Sequence, residues 1–163
     1  MSLFYDFLLP FIIHIVTSDH VYDFCLIVIF IVGESFTYGA RKTAAPYPRG
    51  VEGVLAFHLP KAKPRSQTLV VMFSVPFLNS WPLYNNQFYV TLLPGKLDKK
   101  YVNENLFNMM YRDTKNRFKG DNGWHHDFRL SRYYRADCFM SSSGTALIQI
   151  DVWRNGRKVI PRQ

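Results

Sequence analysis

After Gly33 the chain is a succession of short runs rich in β-branched and aromatic residues, broken at intervals by Pro, Gly, Asn and Ser, and this spacing restricts it to a mainly β fold. Residues 54–59 are a short strand candidate and QTLVVMFSV at 67–75 a stronger one. The Pro-, Lys- and Arg-rich stretch 60–65 between them predicts a hairpin with a basic tip. NQFYVTLL at 86–93 reads as a third strand, closed by Pro94 and Gly95. In 145–153, Ala146, Ile148, Ile150 and Val152 alternate with Thr145, Gln149 and Asp151, the period of a half-buried strand. Asn155 and Gly156 then offer a type I′ turn into a last hairpin over 157–160. One stretch has helical period: Asp98 suits an N-cap, and Val102, Leu106, Met109 and Met110 fall at helix spacing over 99–112. Phe107 and Tyr111 are four apart, which sets their rings together on an adjacent face. Several short strands with a single helix predict a compact β-sandwich carrying one flanking helix.

At 163 residues the chain suits one domain with a core of its own. All twenty Lys and Arg fall at or after Arg41, whereas Asp6, Asp19, Asp23 and Glu34 precede it. The formal charge of +8 favours anionic partners. Residues 1–32 therefore stand apart from a domain at 33–163. Within them two apolar runs are split by residues 17–20 and by Asp23, and each is shorter than the about 20 residues that cross a bilayer. No basic segment precedes the first run, as a secretory signal requires. Two readings stand for this segment, whose structure the sequence leaves open. It is an imperfect signal or anchor, with Arg41 and Lys42 as its first cationic flank, or it is foreign to the mature protein and comes from an incorrect gene model.

Residues that carry covalent chemistry do not assemble into a motif. His125, His126 and Asp127 are adjacent, but neighbours in an extended segment point to opposite faces, so no metal site is expected. Ser141, Ser142, Ser143 and Gly144 suit a turn, and nucleophile-elbow, Walker and Rossmann patterns are lacking. Cys25 and Cys138 lie in dissimilar halves and support neither a disulfide framework nor a zinc cluster. The expectation is a protein that is not an enzyme and takes no cofactor. More informative are Tyr84, Phe88, Tyr89, Tyr101, Phe107, Tyr111, Tyr133 and Tyr134, interleaved with Lys96, Lys99, Lys100, Arg112, Arg132 and Arg135. Most rings in a sandwich pack its core. A surface cluster of them suits a membrane interface, with ring faces attracting ammonium ions and basic groups attracting phosphate. Without a nucleic-acid-binding module, no nucleic acid partner is expected.

Three blocks resemble the actinoporins, the cnidarian pore-forming cytolysins that include equinatoxins and sticholysins, and the wider actinoporin-like group. They are GVLAFHL with the following VVMFSVPF at 70–77, FKGDNGWH at 118–125, and CFMSSSGTALIQIDV at 138–152. The resemblance runs from about Gly33 to Trp153 and implies a β-sandwich flanked by helices. It implies a secreted, nematocyst-borne toxin that acts at the target cell membrane, binding the phosphocholine headgroups of sphingomyelin and assembling into a homo-oligomeric, cation-conducting, haemolytic pore.

Carried over by position, the resemblance places a headgroup pocket at Ser74, Pro76, Tyr84, Phe107, Tyr111 and Arg112, with Arg112 where a further aromatic is expected. It places membrane docking at Leu83, Gln87 and Phe88, with Gln87 where an exposed tryptophan stands in the family. The tripeptide Lys119, Gly120 and Asp121 replaces Arg-Gly-Asp and is implied to be a surface loop assisting protomer contact. Glu52 replaces an apolar residue near the pocket, which implies altered lipid choice, with phosphate attraction through Arg112 partly replacing choline contact. Upstream of Gly33 the family's amphipathic helix and first strands are not matched. Two alternatives stay open: a non-lytic lipid- or carbohydrate-binding module like the fungal fruit-body lectins, and a truncated, inactive family member with open sheet edges.

Overall fold

The computed structural model describes residues 10–11, 24–31, 34–41, 51–59, 65–76, 85–115, 118–119, 123–142 and 146–155. Among them, ten strands form two five-stranded sheets. The first sheet has the order β1 (Pro10–Phe11), β4 (Val51–Leu59), β5 (Gln67–Val75), β6 (Gln87–Pro94), β7 (Phe118–Lys119), antiparallel throughout. The second has the order β3 (Glu34–Arg41), β2 (Phe24–Ile31), β10 (Ala146–Arg154), β9 (Tyr134–Met140), β8 (Trp124–Arg129). It is antiparallel except that β2 and β10 run parallel. One α-helix, α1 (Glu104–Arg112), flanks the first sheet. This is the mainly β sandwich with one flanking helix that the strand spacing predicts.

Side-chain alternation decides which residues fill the space between the sheets. Leu55, Phe57, Val71, Phe73, Phe88 and Val90 of the first sheet meet Ile27, Ile29, Ala136, Cys138, Ile148 and Ile150 of the second in one buried core. Phe73 and Phe88 are partners across β5 and β6 and both are fully buried. Each such ring contributes about 1.5–3 kcal/mol by leaving water. At the sandwich end where β6 begins, the buried Asn86 donates Nδ2–H to the Ser141 carbonyl at 2.7 Å and so ties the two sheets together.

The boundary at 32/33 suggested by composition falls between β2 and β3, which pair antiparallel along their whole length. The second sheet thus takes its β2 from upstream of Gly33, where the sequence reading expects none of the family's strands. The last hairpin expected over 157–160 lies outside the described residues.

Candidate functional site

On leaving β6 the chain turns back to lay a helix on the outer face of the first sheet. Gly95 makes that turn at a φ of 77°, a left-handed conformation that glycine adopts without a Cβ clash. Its N–H donates to the Ser66 carbonyl at 2.7 Å. The buried Thr68 hydroxyl donates to the Gly95 carbonyl at 2.8 Å and accepts from the Leu97 N–H at 3.1 Å.

Asp98 then caps only a 3₁₀ turn, Lys99–Tyr101, by accepting from the Lys100 N–H. The helix expected over 99–112 from an Asp98 cap is therefore two pieces, because Asn103 intervenes. Asn103 is extended, and its Oδ1 accepts from the N–H groups of Asn105 and Leu106 at 3.0 and 3.2 Å, starting α1 afresh. The restart resets the apolar face. Val102 and Met110 are buried against Val54, Ala56, Val70 and Met72, with Leu106 and Phe107 packed beside them. Met109, expected on that face, is 59% exposed.

The far end of α1 is tied to β6. The Tyr89 hydroxyl reaches Oδ2 of Asp113, the C-cap residue, at 3.4 Å. Tyr89 stands in the cross-strand row Val54, Met72, Tyr89, and the next row on the same face is Glu52, Ser74, Gln87 and, in β7, Lys119. Successive rows on one face are about 7 Å apart. The C-terminal turn of α1, with Tyr111 and Arg112, thus lies on the same outer face of the sheet as the Ser74 row.

In that row Ser74 is only 4% exposed, and its Oγ–H donates to Glu52 Oε1 at 2.8 Å. Gln87 is half-buried, and its Oε1 is buried with no hydrogen-bond partner among the described residues. Pro76 follows β5 and is half-buried. On the helix, the Phe107 and Tyr111 rings stack with centroids 5.6 Å apart and planes 18° from parallel. Tyr111 is 36% exposed, and Arg112 is exposed. Of the six residues implied for the headgroup pocket, Ser74, Pro76, Phe107, Tyr111 and Arg112 belong to β5 with its exit and to α1, and Tyr84 lies outside the described residues.

The membrane-docking set changes. Phe88 is fully buried between the sheets, because its position in β6 faces Phe73 across the strand pair, so its ring is not a docking residue. Gln87 faces the opposite side and belongs to the Ser74 row instead of standing free. Leu83 lies outside the described residues. Lys119 is paired with Gln87 in strand β7 and is not in a loop, while Gly120 and Asp121 lie outside the described residues.

Sequence reasoning missed the Ser74–Glu52 bond, which depends on a register that a hairpin loop of this length leaves open. It also passed over a second aromatic group on the other sheet. Trp124, 41% exposed, stacks on Phe139 at 5.1 Å and on His126 at 5.7 Å. His126 Nδ1 lies 3.5 Å from Oδ1 of the buried Asp137, which also accepts from the Asp127 N–H at 2.8 Å. His125 instead turns its ring to Phe88, 6.2 Å away, on the core side.

Residues 19–154 match the family model described as sea anemone cytotoxic protein. The chain belongs to this family. Nigrelysin from Anthopleura nigrescens is 38% identical over 125 residues, covering 75% of this chain and 52% of the relative. DELTA-actitoxin-Aas1a from Anthopleura asiatica is 35% identical over 122 residues, 75% of this chain and 52% of the relative. Deep sea actinoporin Cjtox II from Cribrinopsis japonica is 34% identical over 123 residues, 75% of this chain and 50% of the relative. The resemblance to actinoporins seen in the three sequence blocks is thus borne out by the sea anemone cytotoxic protein match. The chain spans about half the length of the curated relatives it matches.

Proposed function

We propose that this chain docks on the zwitterionic headgroups of membrane lipids through the surface between α1 and the Ser74 row, as the recognition step of a pore-forming cytolysin. The phosphocholine of sphingomyelin is the reference ligand for this reading. The observation that carries it is the Phe107–Tyr111 stack, with Phe107 packed on the sheet and the Tyr111 ring exposed, on a helix set by the Asn103 cap and the Tyr89–Asp113 contact. Ring faces hold a headgroup ammonium by about 0.5–2 kcal/mol per contact, and Arg112 supplies the charge that a phosphate takes. Neither step needs covalent chemistry. Docking is followed by homo-oligomerisation, with Lys119, Gly120 and Asp121 assisting protomer contact, and by cation leakage and lysis. The site of action is the target cell membrane, reached by secretion from the nematocyst.

Vesicles of a neutral glycolipid matrix, with and without zwitterionic sphingolipids and loaded with dye, separate the readings. Binding and dye release that both require the sphingolipids support the proposal. Binding without release favours a non-lytic module, and equal binding to the bare glycolipid favours a lectin. Tyr84→Ala, in the segment before Asn85, is expected to weaken sphingolipid binding alongside Tyr111→Ala. If both bind like the parent while Arg112→Ala abolishes binding, the aromatic pocket is wrongly assigned.

A further inference from the structure

We infer that the Glu52–Ser74–Gln87 row selects a headgroup with a primary ammonium, phosphoethanolamine, over one with a quaternary ammonium, phosphocholine. This rests on the headgroup-docking reading above and adds the identity of the cationic end. Ser74 supplies the row's hydroxyl, and that hydroxyl is engaged in donating to Glu52 Oε1 at 2.8 Å. A phosphate that approached Ser74 would have to displace this bond and sit against a carboxylate, so the row repels the anionic end of a headgroup.

What the row offers in place of donors is acceptors. The Glu52 carboxylate has about four lone-pair directions, of which Ser74 takes one. Two strands from Glu52 on the same face, in β6, Gln87 Oε1 is a buried acceptor with no partner among the described residues. A primary ammonium carries three N–H donors, as a lysine head does, to offer to acceptors of this row. A quaternary ammonium carries none. The Phe107 and Tyr111 rings attract either cation through their faces and so do not discriminate. Discrimination comes from the acceptors, because a site built to hydrogen-bond its ligand rejects an analogue without the matching group. The phosphate is then left to the exposed Arg112 at the end of α1.

The test uses the full chain and vesicles of digalactosyl diacylglycerol carrying either ceramide phosphoethanolamine or sphingomyelin. The chain is expected to bind the ethanolamine vesicles at least about tenfold more tightly, the worth of one charge-assisted hydrogen bond. Glu52→Val is expected to abolish or reverse that ratio. Glu52→Gln keeps an acceptor for Ser74 without the charge and is expected to shrink the ratio. It decides the matter if Glu52→Val fails to melt cooperatively. Equal binding of the two lipids by the parent chain, a preference for sphingomyelin, or an unchanged ratio in Glu52→Gln overturns the inference while leaving headgroup docking in place. Failure of the parent and both variants to bind either vesicle overturns the docking reading itself, and this inference with it.

Discussion

The rings of Phe107 and Tyr111 lie nearly parallel, 5.6 Å apart, on one face of α1, with Phe107 packed toward the sheet and Tyr111 more than a third exposed. The inner ring anchors the outer one. Tyr111→Ala is therefore expected to weaken vesicle binding about two- to thirtyfold, in line with about 0.5–2 kcal/mol for a ring–ammonium contact, with a smaller change in melting temperature than Phe107→Ala. Phe107→Ala is expected to weaken binding as much and also to lower the melting temperature. Equilibrium binding to sphingolipid vesicles, with a thermal melt of each variant, checks both.

Phe88 is a core residue, so its variants act through stability. Phe88→Ala is expected to destabilise the fold by about 3–5 kcal/mol, while Phe88→Leu, which folds, retains vesicle binding per folded molecule. Urea unfolding of each, with binding scaled to the folded fraction, separates this from a docking role. A well-folded Phe88→Leu that no longer binds would return Phe88 to the membrane face.

Asn103, not Asp98, starts the helix that presents Tyr111. Asn103→Ala is expected to cost about 1 kcal/mol and to lower the melting temperature by about 2–4 °C. Asp98→Ala, which loses the cap of a single 3₁₀ turn, is expected to have a clearly smaller effect. Differential scanning calorimetry of the two variants checks the order.

His58 and His125 are both held below the ordinary histidine value of 6.5, chiefly because burial disfavours the charged ring, with Lys96 adding to the effect at His58. Since their folded-state values are depressed, the stability they contribute is present above pH 6.5 and is lost as pH falls through those lower values. The melting temperature is expected to drop between pH 7 and pH 5. The double variant His58→Gln, His125→Gln is expected to show a shallower drop over that range. An equally steep fall in the double variant would assign the pH dependence to other groups.

Much of this architecture is legible in the sequence, and the exceptions have physical causes. β4, β5, β6 and β10 follow from alternation and turn residues, and the Phe107–Tyr111 pairing follows from a four-residue spacing. FCLIVIFI of β2 is continuously apolar and has no period to distinguish a strand from an anchor. Only its place beside β10, with Ile27 and Ile29 fully within the core, identifies it. WHHDFR of β8 is an edge strand with mostly exposed residues, so it lacks the apolar alternation that marks a half-buried strand. The resemblance singles out Ser74, but its hydrogen-bond partner is not legible in the sequence, because Glu52 meets it only through the β4–β5 register. Phe88 and Gln87 were grouped as docking residues by resemblance, although adjacent positions in a strand face opposite ways.

Hydrogen exchange of the chain with and without sphingolipid vesicles tests most directly where the membrane docks. The predicted result is slowed exchange in α1 and in the segments bearing Ser74, Pro76 and Gln87, with β8 and β9 unchanged. Protection confined to the Trp124 and Phe139 strands, with α1 exchanging as it does in free solution, would contradict docking through the helix and the Ser74 row.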